Sequence, residues 1–416
     1  MLYLTAVSGE TVEEEVSETT TIAAQVSVEP GSQFYDEVLQ IRVVSPMAGS
    51  KSAIGSGFQV SDDGLVITNY HVVSGFIQSP ESNTIEYMSD SGESGELALL
   101  NFDVINDLAV LKADLPRGKT FSLAERPLVK GELVYALGNP YDIGIKQVSG
   151  PNNGLVDHSF VEKIFFSGSL NPGMSGGPAI NRTGDVVGVN VATAGNQISF
   201  LVPVNAVSDL LAQDRVVAAD DYYAEITRQI DEWQEKRVRT LIDDPWPTKE
   251  FVGREFPDEI REDFQCWGHT NEEATDPVVT SVAKTCESKD VVYLGSWLTA
   301  GHFHMSYRYE KSERLNALQF ANRSSTQMWA NNKTSYKDST NYSCHVDFVD
   351  VAESTDALTR ITTCIRAYRH FPALYDSLLL VEQLNDDTSW SSHMSVSAMN
   401  KEHINALNTK FTEALQ

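Results

Sequence analysis

A histidine, an aspartate and a serine, each embedded in a run of small and polar residues, are the groups in this sequence best suited to chemistry. His71 closes the run Gly55-Ser-Gly-Phe-Gln-Val-Ser-Asp-Asp-Gly-Leu-Val-Ile-Thr-Asn-Tyr-His-Val-Val. Asp107 opens Asp-Leu-Ala-Val-Leu-Lys112, and Ser175 sits in Asn171-Pro-Gly-Met-Ser-Gly-Gly-Pro-Ala179. A serine hydroxyl is a weak nucleophile at neutral pH and needs a base within hydrogen-bond reach, a role that a neutral imidazole fills. The imidazole in turn needs a carboxylate to fix its tautomer and steady its positive charge. The tetrahedral oxyanion of acyl transfer needs backbone N–H donors aimed at one point, and the small residues around Ser175 permit such a turn, with Gly173 and Ser175 as donors. Taken singly, each has a blander reading: a structural histidine, an aspartate ending a strand, a serine in a tight turn. The three together, in the order His, Asp, Ser, are far more specific.

The wording of these runs resembles the trypsin-like double β-barrel serine proteases, and within them the HtrA/Deg branch. The resemblance rests on Gly55–Phe58, Thr68–Val72, Asp107–Lys112, Gly138-Asn-Pro140 and Asn171–Pro178, and covers residues 36–212, less than half of the chain. It implies His71 as general base, Asp107 as its orienting carboxylate and Ser175 as nucleophile of a serine endopeptidase acting through an acyl-enzyme on unfolded or exported polypeptides. It also implies that Val204–Leu211 is the helix closing the second barrel, and no cofactor or metal. Ser169, Leu170 and the strand from Val191 and Ala192 to Ala194 are expected to line the primary pocket. None is charged, so a small or medium apolar residue is expected before the cleaved bond. Two departures stand out: Met174 replaces the usual Asn before the nucleophile, and Tyr141–Leu155 lacks the usual Gly/Thr-rich pattern. They motivate an alternative, a catalytically weak or inactive protease-fold peptide-binding protein. No PDZ-like sequence follows.

Elements must position these groups. Short β-branched runs punctuated by Gly, Asn, Asp and Pro recur at Val38–Val44, Gly57–Val60, Leu65–Thr68, Leu108–Lys112, Leu133–Leu137, Val186–Val191 and Ile198–Val202. Such spacing indicates an antiparallel barrel or sandwich. Tyr223, Ile226, Ile230 and Trp233 then mark a helix with an apolar stripe, expected to pack on its own chain, with homo-oligomer formation as the alternative. The expected fold class is mostly β with α. Its parts are an acidic disordered tail over 1–33, a protease domain over 34–212, a helical linker over 213–254, and a duplicated α+β module over 255–416.

The duplication is read from two signals. Cys266 and Cys286 are 20 residues apart, as are Cys344 and Cys364, and seven of the fifteen positions from His304 to Leu318 are identical to His393–Leu407. Chance would give about one. Each copy reads as a hairpin carrying two cysteines, further strands and a helix, with N-caps at Ser312 and Asn400. The hairpin midpoints fall at Asp276-Pro277 and Ser354, which pairs Cys266 with Cys286 and Cys344 with Cys364. Disulfides imply an oxidising compartment, periplasmic or extracellular, the alternative being four free core thiols in a cytosolic protein; Met1–Val7 is too short for an export signal. His302 and His304 share one face of a predicted strand. Without an evident carboxylate or thiolate partner, they read as surface residues rather than metal ligands. The sequons at Asn181, Asn322, Asn332 and Asn341 matter only where the host glycosylates.

The formal net charge is −27. A chain this acidic is poorly suited to nucleic acid or anionic membranes. No run approaches the ~20 apolar residues of a membrane-spanning helix.

Overall fold

The computed structural model describes residues 31–47, 49–115, 120–195, 197–271, 275–296, 298–325, 337–349 and 359–415. The acidic tail expected over 1–33 and the turn at Ser354 lie almost wholly outside them.

Twelve strands form two closed six-stranded barrels. The first contains β1 (Val38–Ser45), β2 (Ser50–Gln59), β3 (Leu65–Thr68), β4 (Thr84–Met88), β5 (Ser94–Asp103) and β6 (Leu108–Lys112), with helix α1 (Tyr70–Gln78) between β3 and β4. The second contains β7 (Leu133–Gly138), β8 (Lys146–Leu155), β9 (Ile164–Phe166), β10 (Pro178–Ile180), β11 (Val186–Gly195) and β12 (Ile198–Pro203), followed by α2 (Val204–Ala212). Side chains alternate across each strand. On β7, Val134 and Ala136 join the core of barrel two, whereas Tyr135 and Leu137 pack between the barrels with Phe58, Ile67 and Val110. The inter-barrel layer sets the relative position of two loop systems, one from each barrel. The chain is therefore mostly β, with a double-barrel first half.

Helix α3 (Tyr222–Asp243) is more than a connection. Ile226, Ile230 and Trp233 enter a core shared with barrel one, while Val238 and Leu241, three turns later, enter the core of the C-terminal module. The apolar stripe is thus buried on its own chain.

The module is built on a seven-stranded antiparallel sheet. A small hairpin, β13 (Thr248–Phe251) and β14 (Arg254–Pro257), precedes it. Copy one supplies β15 (Phe264–Thr270), β16 (Thr280–Ser288), the hairpin β17 (Val292–Gly295) and β18 (Leu298–Ala300), β19 (Phe303–Lys311) and α4 (Ala317–Ser325). Copy two supplies β20 (Ser343–Val349), β21 (Thr359–Ala367), β22 (Tyr375–Leu384), β23 (Thr388–Met399) and α5 (Lys401–Glu413). The order is β15-β16-β19-β23-β22-β21-β20. Met305 lies opposite Met394 across the β19–β23 seam. These are equivalent positions of the repeat, so the copies join edge to edge about a local two-fold. Cys266 bonds to Cys286 and Cys344 to Cys364, each pair directly opposite in register.

The copies differ in two places. Copy two keeps β22 within the large sheet; copy one turns the same stretch into the separate β17–β18 hairpin. Their helices also start differently. Asn400 caps α5 by accepting from His403 N. Ser312 does not cap α4: its hydroxyl holds a turn by accepting from Arg314 N and Leu315 N. Asn316 takes the cap, exchanging reciprocal side-chain to backbone bonds with Gln319, a capping-box geometry.

Candidate active site

His71 sits in the first turn of α1, which follows directly from β3. Asp107 ends the β5–β6 connection with φ of 56°. That loop is braced from within, because Asp103 Oδ1 accepts from the N–H groups of Ile105 and Asn106. Asn69 Nδ2 adds a bond to Asp107 O at 2.7 Å. Both carboxylate oxygens of Asp107 reach the histidine: Oδ1 accepts from His71 N at 2.8 Å and Oδ2 lies 2.6 Å from Nδ1. A carboxylate accepts only, so the Nδ1 proton is held there and the Nε2 lone pair is left for a substrate or nucleophile. The two side chains are 30% and 19% exposed, so the pair faces a cleft rather than the core. Burial pulls the imidazole downward, but the Asp107 charge and hydrogen bond outweigh it, and His71 titrates above its ordinary value.

Ser175 comes from barrel two, in the turn between the β9 region and β10. Gly173 has φ of +97°, and a Cβ there would lie 2.3 Å from Asn139 O, so no other residue fits that turn without strain. Met174 N donates to Asn171 O, Gly176 N to Asn190 O, and Gly177 N to Met174 O. Among the described residues, the N–H groups of Gly173 and Ser175 have no such acceptor and are available to an incoming anion. Met174 itself is fully buried in the core of barrel two, so its side chain is a packing element.

The Ser175 hydroxyl donates to Val191 O at 3.2 Å. Its single proton is therefore directed away from His71 in this conformation. The His–Asp half of the expected relay is assembled, while the Ser175 hydroxyl is engaged by Val191 O.

The expected pocket residues separate. Ser169 is exposed, Val191 is partly exposed and accepts the Ser175 bond, and the Ala192 side chain lies outside the described residues. Leu170 is 7% exposed and packs with Val134, Ala136 and Met174 inside barrel two. Asn139 and Tyr141 flank the site through a tight loop. Tyr141 and Asp142 both have positive φ, Tyr141 N donates to Pro172 O, and Lys51 Nζ holds Asp142 at 2.6 Å. The loop thus ties barrel one to the nucleophile turn.

Ser56 is a residue that sequence reasoning passed over. Its N–H donates to Ser175 O at 2.7 Å, its hydroxyl donates to Gly173 O at 2.7 Å, and it accepts from Asn139 N at 2.9 Å. Ser56 is fully buried in β2. Close approach is needed here: a Cβ on Gly55 would meet Val72 and the Ser175 carbonyl.

Residues 55–189 match a trypsin-like peptidase domain. The chain is similar to serine protease HTRA1A of Danio rerio, with 32% identity over 238 residues, 53% of this chain and 47% of that one. It is similar to human serine protease HTRA4, 36% identical over 38% of this chain and 34% of that one. It is also similar to a probable periplasmic serine endoprotease, DegP-like, of Halomonas elongata, 30% identical over 46% and 39%. The match therefore spans between about a third and a half of these relatives' lengths. Among solved structures, the serine endoprotease from Yersinia pestis is 25% identical, with a TM-score of 0.39 over 44% of this chain and 65% of that one. Residues 55–189 thus match a trypsin-like peptidase domain, and part of the chain is similar to HtrA and DegP-like serine proteases.

The triple-histidine region of the module differs from its expected surface role. His304 is 7% exposed and its Nδ1 has no partner, and the same holds for the buried Nε2 of His393. The rings of His302 and His304 are 6.0 Å apart, and those of His304 and His393 5.4 Å. The cause is the seam: pairing β19 with β23 places His393 diagonally beside His304, on the face opposite Met305 and Met394. His304 and His393 line a cavity of about 810 Å³ with Glu310, Trp390 and Leu380.

Proposed function

We propose that the protein is a serine endopeptidase that hydrolyses peptide bonds through a Ser175 acyl-enzyme, with His71 as general base and Asp107 as its orienting carboxylate. The observation that carries this reading is the two-point attachment of His71 to Asp107, at 2.8 and 2.6 Å, facing a nucleophile turn with two open N–H donors.

The sequence of events follows from the groups present. A polypeptide enters between the barrels, and Ser175 rotates from Val191 O toward His71 Nε2. As the hydroxyl attacks the carbonyl carbon, its proton passes to Nε2, and the new imidazolium is stabilised by Asp107. The carbonyl oxygen becomes an anion accepted by Gly173 N and Ser175 N. His71 then returns the proton to the leaving amine, and water repeats the steps to release the acid. Ser169 and Val191 place no charge beside the nucleophile turn, which supports preference for an uncharged residue before the cleaved bond. Two disulfides support an oxidising, periplasmic or extracellular setting.

The test is an active-site fluorophosphonate at neutral pH. Wild type is expected to be labelled on Ser175, and Ser175→Ala not at all. A folded wild type that takes no label overturns the proposal.

A further inference from the structure

The repeat symmetry of the module breaks where it meets the protease half. Copy one diverts its third strand out of the large sheet into the β17–β18 hairpin, and that hairpin lies on α1, the helix carrying His71. Tyr70 Oη donates to Leu294 O at 2.9 Å, and Gln78 Nε2 donates to the same oxygen at 3.1 Å. Val292 and Leu294 are buried in the core shared with barrel one. Tyr293, between them, packs at the margin of the same core. It is partly exposed, and its ring meets the His71 ring edge to face, with centroids 6.1 Å apart and planes at 81°.

The residues just before the hairpin hold barrel two. The buried Asp290 carboxylate accepts from Ser159 Oγ at 2.7 Å and from Phe160 N, in the β8–β9 loop. One short stretch, Asp290–Gly295, therefore fastens to both barrels beside the cleft. Asp107 occupies the Nδ1 edge of His71 and Nε2 is required for Ser175, so the part of the cleft next to the imidazole has Tyr293 as its wall.

Resting on the endopeptidase reading above, we propose that the β17–β18 hairpin is a wall of the catalytic cleft and that Tyr293 is a specificity-determining residue, limiting the size of the substrate side chain seated beside His71. The module is in this respect a component of the protease site. An aromatic wall held from behind by Val292 and Leu294 cannot retreat, so bulky side chains at that position are excluded, while small ones pack on the ring.

The experiment is cleavage profiling of a peptide library by the full chain, read by mass spectrometry, for wild type, Tyr293→Ala and Tyr293→Phe. Tyr293→Ala is expected to raise the ratio of bulky to small residues at one position near the scissile bond by about tenfold. Tyr293→Phe, which keeps the ring, is expected to retain the wild-type profile. Should Tyr293→Ala fail to fold, Tyr293→Leu carries the same comparison. A profile unchanged at every position overturns the proposal. Fluorophosphonate labelling of the wild type reports the underlying reading separately. An unlabelled wild type sinks the endopeptidase assignment and this inference with it, whereas a labelled wild type with an unshifted variant profile sinks this inference alone.

Discussion

The protein contains two contrasting histidine environments. His71 is partly desolvated, yet it titrates above its ordinary value, because Asp107 is bonded to it and supplies a negative charge. His304 and His393 are desolvated without a carboxylate partner and with one another as neighbours, and they are held down at about 4 and about 3. His302 is lowered as well: burial outweighs the opposing pull of Glu287 and Asp376. Burial is common to all of them; the partner decides the direction. One environment keeps an imidazole poised to take a proton, and the other keeps a row of imidazoles neutral.

The contrast can be broken first at the cleft. Ser175→Ala is expected to lower hydrolysis by about 10⁵-fold or more, measured as kcat/KM on an unfolded protein substrate. Asp107→Asn is next, with a loss of about 10⁴-fold in kcat. It removes the Asp107 charge that raises His71, so the acid limb of the pH–rate profile is expected to move down.

The module gives the third test. A histidine lowered in the folded state binds fewer protons than in the unfolded chain, so stability falls as pH drops below about 6.5 and the loss saturates below the folded values. For His304 alone this amounts to on the order of 3 kcal/mol between pH 7 and 4. Thermal melts should show that slope in wild type, and replacing His304 and His393 with Phe should flatten it. Phe also removes two unpartnered buried nitrogens, so the melting temperature at pH 7 should not fall. The smallest effect is expected from Cys266→Ser with Cys286→Ser. Losing one cross-link over a 20-residue separation costs about 3 kcal/mol in denaturant titrations. Labelling of Ser175 below the transition should persist, because barrel contacts are independent of that bond.

Much of the first half was legible in the chain. The β-branched runs at Leu65–Thr68 and Leu108–Lys112 coincide with β3 and β6, because strands buried on both faces advertise themselves by composition. The 20-residue cysteine spacing likewise reflected register within a hairpin. Strands β8 and β10 escaped notice, β8 being rich in Gly, Asn and Pro and β10 only three residues long. Ser56 was hidden because its three bonds run to residues more than eighty positions away. Tyr293 gave no local signal either: its proximity to His71 comes from the packing of the β17–β18 hairpin on α1, more than two hundred residues away in the chain. The misplaced cap on α4 has the same origin. Ser312 is a good capping residue in isolation, but Val278 O claims its hydroxyl proton and the chain turns before the helix begins.

The seam at Met305 and Met394 has an evolutionary consequence. In a dimer of identical chains, any change in a strand appears on both halves, so an extruded hairpin would have to be tolerated twice. Here the two halves are covalently one polypeptide, and each is encoded separately. One half places this stretch as a hairpin against α1, while the other keeps it as β22 in the seven-stranded sheet.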